Sequence, residues 1–178
     1  MRLMQERDLF GGAICCEIPA DWKDISTLRQ VPDNQECFQA ATEHVVFVIE
    51  ILERQDQIAD INAAEFFFQD LVESNQATNT SFTASSPSTF AIQGLPADSV
   101  VATGFGFQTI ALGRDTDIFG NPRQQEIATV RIEVCVVRLP TQKTDILLTL
   151  SAPQDVDLEP VFRKSMSTFQ IRNWSLFA

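Results

Sequence analysis

The residues able to do chemistry are few and scattered. His44 is the only histidine, and it stands at the entrance of an apolar run. A hydrolytic triad would need its imidazole as the base beside a nucleophile. A histidine at a strand entrance reads better as a surface or edge residue. A single histidine also excludes metal sites built on several imidazoles. The four cysteines, Cys15, Cys16, Cys37 and Cys135, show no CxxC spacing, so zinc and thioredoxin-type chemistry lack their usual signature. Adjacent Cys15 and Cys16 would point to opposite faces of a strand and cannot readily pair. Four free thiols in a reducing compartment are expected. A thiol enzyme would need a perturbed thiol at Cys15, Cys16 or Cys37.

Other patterns are partial. Gly104-Phe105-Gly106 lacks the third glycine of a dinucleotide fingerprint and lies inside an extended run; glycines that relieve crowding or form a bulge explain it better. There is no GxxxxGK[ST] phosphate loop. Asp115, Asp117, Gly120 and Glu126 occupy positions 1, 3, 6 and 12 of a calcium-loop pattern, yet Phe119 and Pro122 break it and strands flank it where helices are required. A hairpin loop accounts for the same residues. Asn79-Thr80-Ser81 and Asn173-Trp174-Ser175 match the glycosylation acceptor pattern, which is silent in a cytosolic or nuclear chain. Carboxylates abound, and no pair stands out as an acid/base couple. No cofactor and no metal are expected.

These side chains sit in 178 residues, of which 44% are hydrophobic and 21% charged. That is ordinary for a folded chain, and a single domain over residues 1–178 is expected. No stretch approaches the ~18 consecutive apolar residues of a membrane span. The first twenty residues lack an apolar signal-peptide core. The net charge is −11, which argues against nucleic acid and anionic membrane as partners and favours a basic protein surface. The charge is uneven: residues 1–73 hold fifteen Asp/Glu against five Lys/Arg, and residues 74–178 hold nine against eight. The N-terminal part thus supplies either a merely solvated surface or an acidic face for a positive partner.

Hydropathy patterning supplies the framework. Residues 1–8 read as polar and loose. Residues 13–18 read as a strand, 21–28 as a turn or single helical turn, and Pro32-Asp33-Asn34-Gln35 as a hairpin tip between residues 29–31 and 36–38. Residues 44–52 form a β-branched strand with Val45, Phe47, Ile49 and Ile51 on one face. Asp60 is expected to cap a helix to about Ser74. Residues 75–89 read as the least ordered internal stretch. Strands are expected over 99–112, 124–139 and 144–151, with a last helix capped by Asp157. Strands, helix, strands, helix with short links indicate an antiparallel sheet with helices packed on it, an α+β arrangement.

Specific motifs then emerge. Leu9-Phe10-Gly11-Gly12-Ala13-Ile14, Pro19, Asp24, Ser26, Leu28-Arg29 and Val31-Pro32-Asp33-Asn34-Gln35-Glu36 resemble the Ran guanine nucleotide release factors. The resemblance continues at Arg138-Leu139-Pro140 and Thr144-Asp145-Ile146-Leu147-Leu148 and ends at Ser175-Leu176-Phe177-Ala178; residues 75–128 carry no matching motif. It implies a PsbP-like three-layer α/β/α fold, with about six antiparallel strands sandwiched between helices. It also implies binding of the GTPase Ran and release of its guanine nucleotide, GTP in particular, in nuclear import, without covalent chemistry. The Ran contact would involve Asp33 and Glu36, with Asp24, Asn34 and Gln35 beside them. Turn chemistry at Asp33 and capping at Asp24 are the competing readings. A monomer in nucleus and cytoplasm is expected. The alternative is a PsbP-like scaffold or assembly module for another basic protein.

Overall fold

In a computed structural model, which describes residues 2–41, 44–85, 92–112, 121 and 126–178, the β-rich runs pair into a seven-stranded antiparallel sheet. Its strands are β3 (Lys23–Asp24), β4 (Gln35–Gln39), β5 (Val46–Glu53), β6 (Thr78–Ala84), β7 (Val100–Leu112), β8 (Glu126–Leu139) and β9 (Thr144–Pro153). Their order is β3-β4-β5-β9-β8-β7-β6. A second antiparallel sheet, ordered β1-β2-β10, holds β1 (Met4–Leu9), β2 (Ile14–Pro19) and β10 (Gln170–Ile171). The helices are α1 (Ala63–Ser74) and α2 (Glu159–Ser167).

Period-two alternation gives the long sheet two apolar faces. Val130, Ile132, Val134 and Val136 of β8 face Ala63, Ala64, Phe67 and Phe68 of α1. Cys135, Val137 and Leu139 face the other way, into a larger core with Phe47, Ile49, Leu148, Phe162 and Met166. Phe47 sits between Trp22 and Phe162, at ring-centroid distances of 6.4 and 6.1 Å. Helix α1 thus covers one face, and α2 with the small sheet covers the other, as the expected three-layer arrangement requires. The long sheet has seven strands rather than about six, because the two-residue β3 adds an edge.

Gly104 and Gly106 relieve crowding. A Cβ on Gly106 would lie 2.4 Å from the Phe68 ring and 2.5 Å from the Ser81 carbonyl oxygen; one on Gly104 would lie 2.3 Å from the Phe82 ring. Their bare backbone lets α1 and β6 settle on β7.

Four sequence expectations are corrected. Residues 1–8 are not all loose: Met4–Leu9 pairs with β2 in register Met4↔Pro19 to Leu9↔Ile14, because its backbone completes an edge whatever its polarity. Residues 29–31 do not pair with 36–38; β4 pairs instead with β3, Lys23 opposite Gln39 and Asp24 opposite Phe38. Residues 78–84, inside the stretch read as least ordered, form β6 against β7. Asp60 does not cap α1, since a 3-10 turn, Asp60–Asn62, precedes that helix. Its carboxylate accepts from Arg138 Nη1 at 2.9 Å. Arg138 is fully buried and also donates to Asp145 (3.0 Å), the Ile58 carbonyl (2.7 Å) and the Gln55 carbonyl (2.6 Å). A buried guanidinium needs this many acceptors, so Asp60 goes to it. Asp157 does accept from Glu159 N at 3.1 Å at the head of α2. Asp115, Asp117 and Gly120 of the calcium-like pattern lie outside the described residues.

Candidate functional site

Two loops meet beside β4. The first joins β1 to β2. Phe10, Gly11 and Gly12 have φ of 51°, 68° and 87°, three successive residues in the left-handed region. Glycine adopts that region at no steric cost, whereas phenylalanine needs support. Support comes from Glu36 on β4, whose Oε1 accepts from the Phe10 amide at 2.7 Å across 26 residues of chain. The Phe10 side chain also packs against the larger core. The Ala13 carbonyl closes the far side of the turn, accepting from the Arg172 and Asn173 amides at 2.8 and 3.1 Å. The chain's last 3-10 turn, Trp174–Phe177, is capped by Asn173 Oδ1, which accepts from Ser175 N at 3.0 Å. The LFGGA, VPDNQE and SLFA motifs, dispersed in sequence, are thereby tied together.

The second loop, residues 25–34, joins β3 to β4. Asp24 begins it: one carboxylate oxygen accepts from Ser26 N at 2.9 Å and Ser26 Oγ at 2.6 Å, capping a 3-10 turn at Ile25–Thr27. The Leu28 and Arg29 amides both donate to the Ile25 carbonyl, at 2.9 and 3.0 Å, which fixes the backbone that carries them. Gln35 N donates to the Pro32 carbonyl at 2.9 Å, closing a turn around Asp33 and Asn34.

Of the five residues singled out in sequence, this geometry leaves one carboxylate unengaged. Asp33 is exposed at the turn and makes no hydrogen bond or ion pair among the described residues. Asn34 Nδ2 donates to the Ile51 carbonyl at 3.1 Å. Gln35 Nε2 donates to Glu50 at 2.9 Å on the sheet face opposite to Glu36. Asp24 caps, and Glu36 holds Phe10. Glu36 is half-buried; burial pushes its carboxyl above the ordinary range, the Phe10 amide partly offsets that, and nearby Asp24 adds to it. Glu36 and Asp24 therefore lie close together beneath the loop, with Asp33 out on its tip.

Leu28 belongs to the motif quoted from the sequence but not to the contact residues expected from it. It is 69% exposed, on the fixed 3-10 backbone of a loop whose other members are mostly polar. An apolar residue outside any helical or strand period was the available signal. Arg29 lies by Cys37 and partly offsets the effect of burial on that thiol.

The cysteines do not form a reactive centre. All four are buried and unpaired. Burial pushes each thiol up, Cys135 to about 12, whereas a thiolate nucleophile needs the opposite shift.

Comparison with known proteins adds a family. A family model described as Ran-interacting Mog1 protein matches residues 7–153. The Ran guanine nucleotide release factor of Danio rerio is 30% identical over 170 residues, covering 96% of this chain and 88% of its own. The nuclear import protein mog1 of Schizosaccharomyces pombe is 33% identical over 148 residues, covering 82% and 75%. The crystal structure of the Saccharomyces cerevisiae Ran-binding protein Mog1p matches over the full length of both chains, with a TM-score of 0.72 at 22% identity, and so shares the fold.

Proposed function

The chain belongs to the family of Ran-interacting Mog1 proteins, and from that membership we propose that it binds Ran and stimulates release of Ran's guanine nucleotide, GTP in particular, in support of nuclear protein import. It acts by binding, without covalent chemistry, as a monomer in nucleus and cytoplasm. Neither nucleic acid nor membrane is its partner. The observation that carries the contact assignment is the unengaged Asp33 carboxylate on a turn held by its own backbone. Asp24, Asn34 and Gln35 belong to the same contact edge, to which Glu36 contributes through the Phe10 amide it holds, and Leu28 adds an apolar anchor of the kind on which interfaces concentrate binding energy.

The mechanism is a linkage. A GTPase holds its nucleotide with Mg²⁺, a phosphate-loop lysine and backbone amides. These positive groups lose their counter-charge when the nucleotide leaves. A carboxylate edge docked on the resulting positive surface stabilises the emptied state and weakens nucleotide affinity by the same factor. A ~10³-fold acceleration requires roughly 4 kcal/mol of differential binding. Desolvated charge pairs at Asp33 and Asp24, at ~1.5 kcal/mol or more each, together with burial of the Leu28 side chain, worth roughly 1.5–3 kcal/mol, supply that.

Release of fluorescently labelled GTP from Ran, with and without the protein, is the test. The wild-type chain should accelerate release. Asp33→Lys should weaken the effect by about ten- to a hundredfold and leave the melting temperature within about 2 °C. A wild-type chain that leaves release unchanged refutes the function. A fully active Asp33→Lys refutes the contact edge.

A further inference from the structure

Within that Ran-release reading, on which the inference rests, we propose that Glu36 is a positioning residue: its carboxylate holds the Phe10 amide, locking the left-handed Phe10–Gly12 turn to β4 so that turn and Asp33 loop meet Ran as one preorganised edge. Glu36 acts through that turn, while Asp33 acts by its charge.

Three observations carry this. Glu36 Oε1 is committed to the Phe10 amide at 2.7 Å, so this oxygen is turned toward the protein's own backbone. The turn it holds lies at the surface: Gly11 is exposed, and nothing lies within 4 Å of where its Cβ would be. And the turn's own backbone closure is weak: Ala13 N to the Phe10 carbonyl is long at 3.3 Å, while Phe10 stands at φ 51°. Its other outside anchor, the Ala13 carbonyl, is fastened to the C-terminal segment. Among the described hydrogen bonds, that from the Phe10 amide to Glu36 alone connects the turn to the strand that follows Asp33. Ordering such a surface before binding avoids the entropy of ordering it on contact.

The chemistry of the two roles differs, which makes them separable. A backbone N–H needs only an acceptor oxygen, and the carboxamide of Gln offers one in the same place. A Ran cation needs the charge, which Gln lacks. The experiment compares wild type, Glu36→Gln, Glu36→Ala, Asp33→Asn and Asp33→Ala. It reads concentration dependence of GTP release from Ran and, by mass spectrometry or NMR, hydrogen exchange at the Phe10 amide.

For a positioning role, Glu36→Gln stays within about threefold of wild type and keeps the Phe10 amide protected. Glu36→Ala loses about tenfold or more in half-maximal concentration and exposes that amide, the scale of one charged hydrogen bond. At Asp33, Asn and Ala lose alike. Glu36→Gln as impaired as Glu36→Ala, with Phe10 still protected in Gln, overturns the positioning role while leaving Ran release intact. A Phe10 amide that exchanges no faster in Glu36→Ala also overturns it. Should Glu36→Ala fail to fold, Glu36→Gln against wild type still decides by the same threefold criterion. A wild-type chain without effect on Ran removes the functional reading, and the positioning role with it.

Discussion

Glu133 bears the electrostatic cost of a carboxylate built into the sheet. It is 7% exposed on β8 and accepts from Arg131 Nε at 2.6 Å. The same guanidinium stacks 4.2 Å above the Phe105 ring. Burial pushes its carboxyl above the ordinary 4.5; Arg131 opposes that, and Glu159 and Asp157 at the head of α2 reinforce it. The folded state therefore retains this proton to a higher pH than the unfolded chain does. The resulting stabilisation is fully present below about 4.5 and is lost as pH rises through the raised value. Glu36 contributes with the same sign. Glu133→Gln keeps the shape of the protonated form and cannot ionise. Its melting temperature minus that of wild type should grow as pH rises above about 4.5, read by circular dichroism from pH 4 to 7; a difference that stays flat or shrinks contradicts this account.

At the scale of elements, the position of α1 rests on two strand glycines. Phe68 of α1 and Phe82 of β6 lie 5.1 Å apart, centroid to centroid, over the bare backbone of Gly104 and Gly106. Because the Cβ of Gly106→Ala would meet both an aromatic ring and a backbone oxygen below 3 Å, the substitution forces α1 or β6 away from β7. A cost of about 1–3 kcal/mol follows, or a fall of roughly 2–12 °C in melting temperature for a chain this long. Differential scanning calorimetry checks it, and a stable Gly106→Ala would mean that β6 and α1 are not seated as described. The expected selectivity is as informative: GTP release by the refolded variant should persist, because Glu36 and Asp33 belong to β4 and its loop and Phe10 to the β1–β2 turn, away from β7.

For the whole molecule, charge governs encounter. The net −11 is concentrated in the first 73 residues, which include the entire Glu36 and Asp33 region. Association with a basic partner should be accelerated by this field and slowed by salt, since screening lengths fall from ~30 Å at 0.01 M to ~3 Å at 1 M. Stopped-flow association with Ran should slow by about tenfold between roughly 0.05 and 0.5 M salt. Asp33→Lys should flatten the slope. An association rate indifferent to salt would mean that apolar contacts such as Leu28, and not the acidic edge, dominate the encounter.

Much of the molecule was legible in order of residues alone. Alternation in β5, β8 and β9 and the helical spacing of Ala64, Phe68 and Leu71 identify the α+β sheet, because apolar burial on a pleat or a helix face imposes those periods locally; Ile61, one turn earlier in the same spacing, lies instead in the 3-10 turn and is exposed. The turn at Pro32–Gln35 and the Asp157 cap follow from local hydrogen bonding in the same way. The motifs around Phe10 and Asp33 pointed to Ran. Tertiary structure decided what each polar side chain is for. Met4–Leu9 becomes a strand only because β2 offers it an edge, and Asp60 serves Arg138 rather than its own helix because a buried guanidinium demands acceptors. Glu36 and Asp33 are alike in sequence, two acids in one motif. Folding gives one a backbone amide 26 residues away and leaves the other to solvent. Hydrogen bonds between distant segments leave no periodic trace in the chain, so that division of labour exists only once the fold has brought β4 against the Phe10 turn.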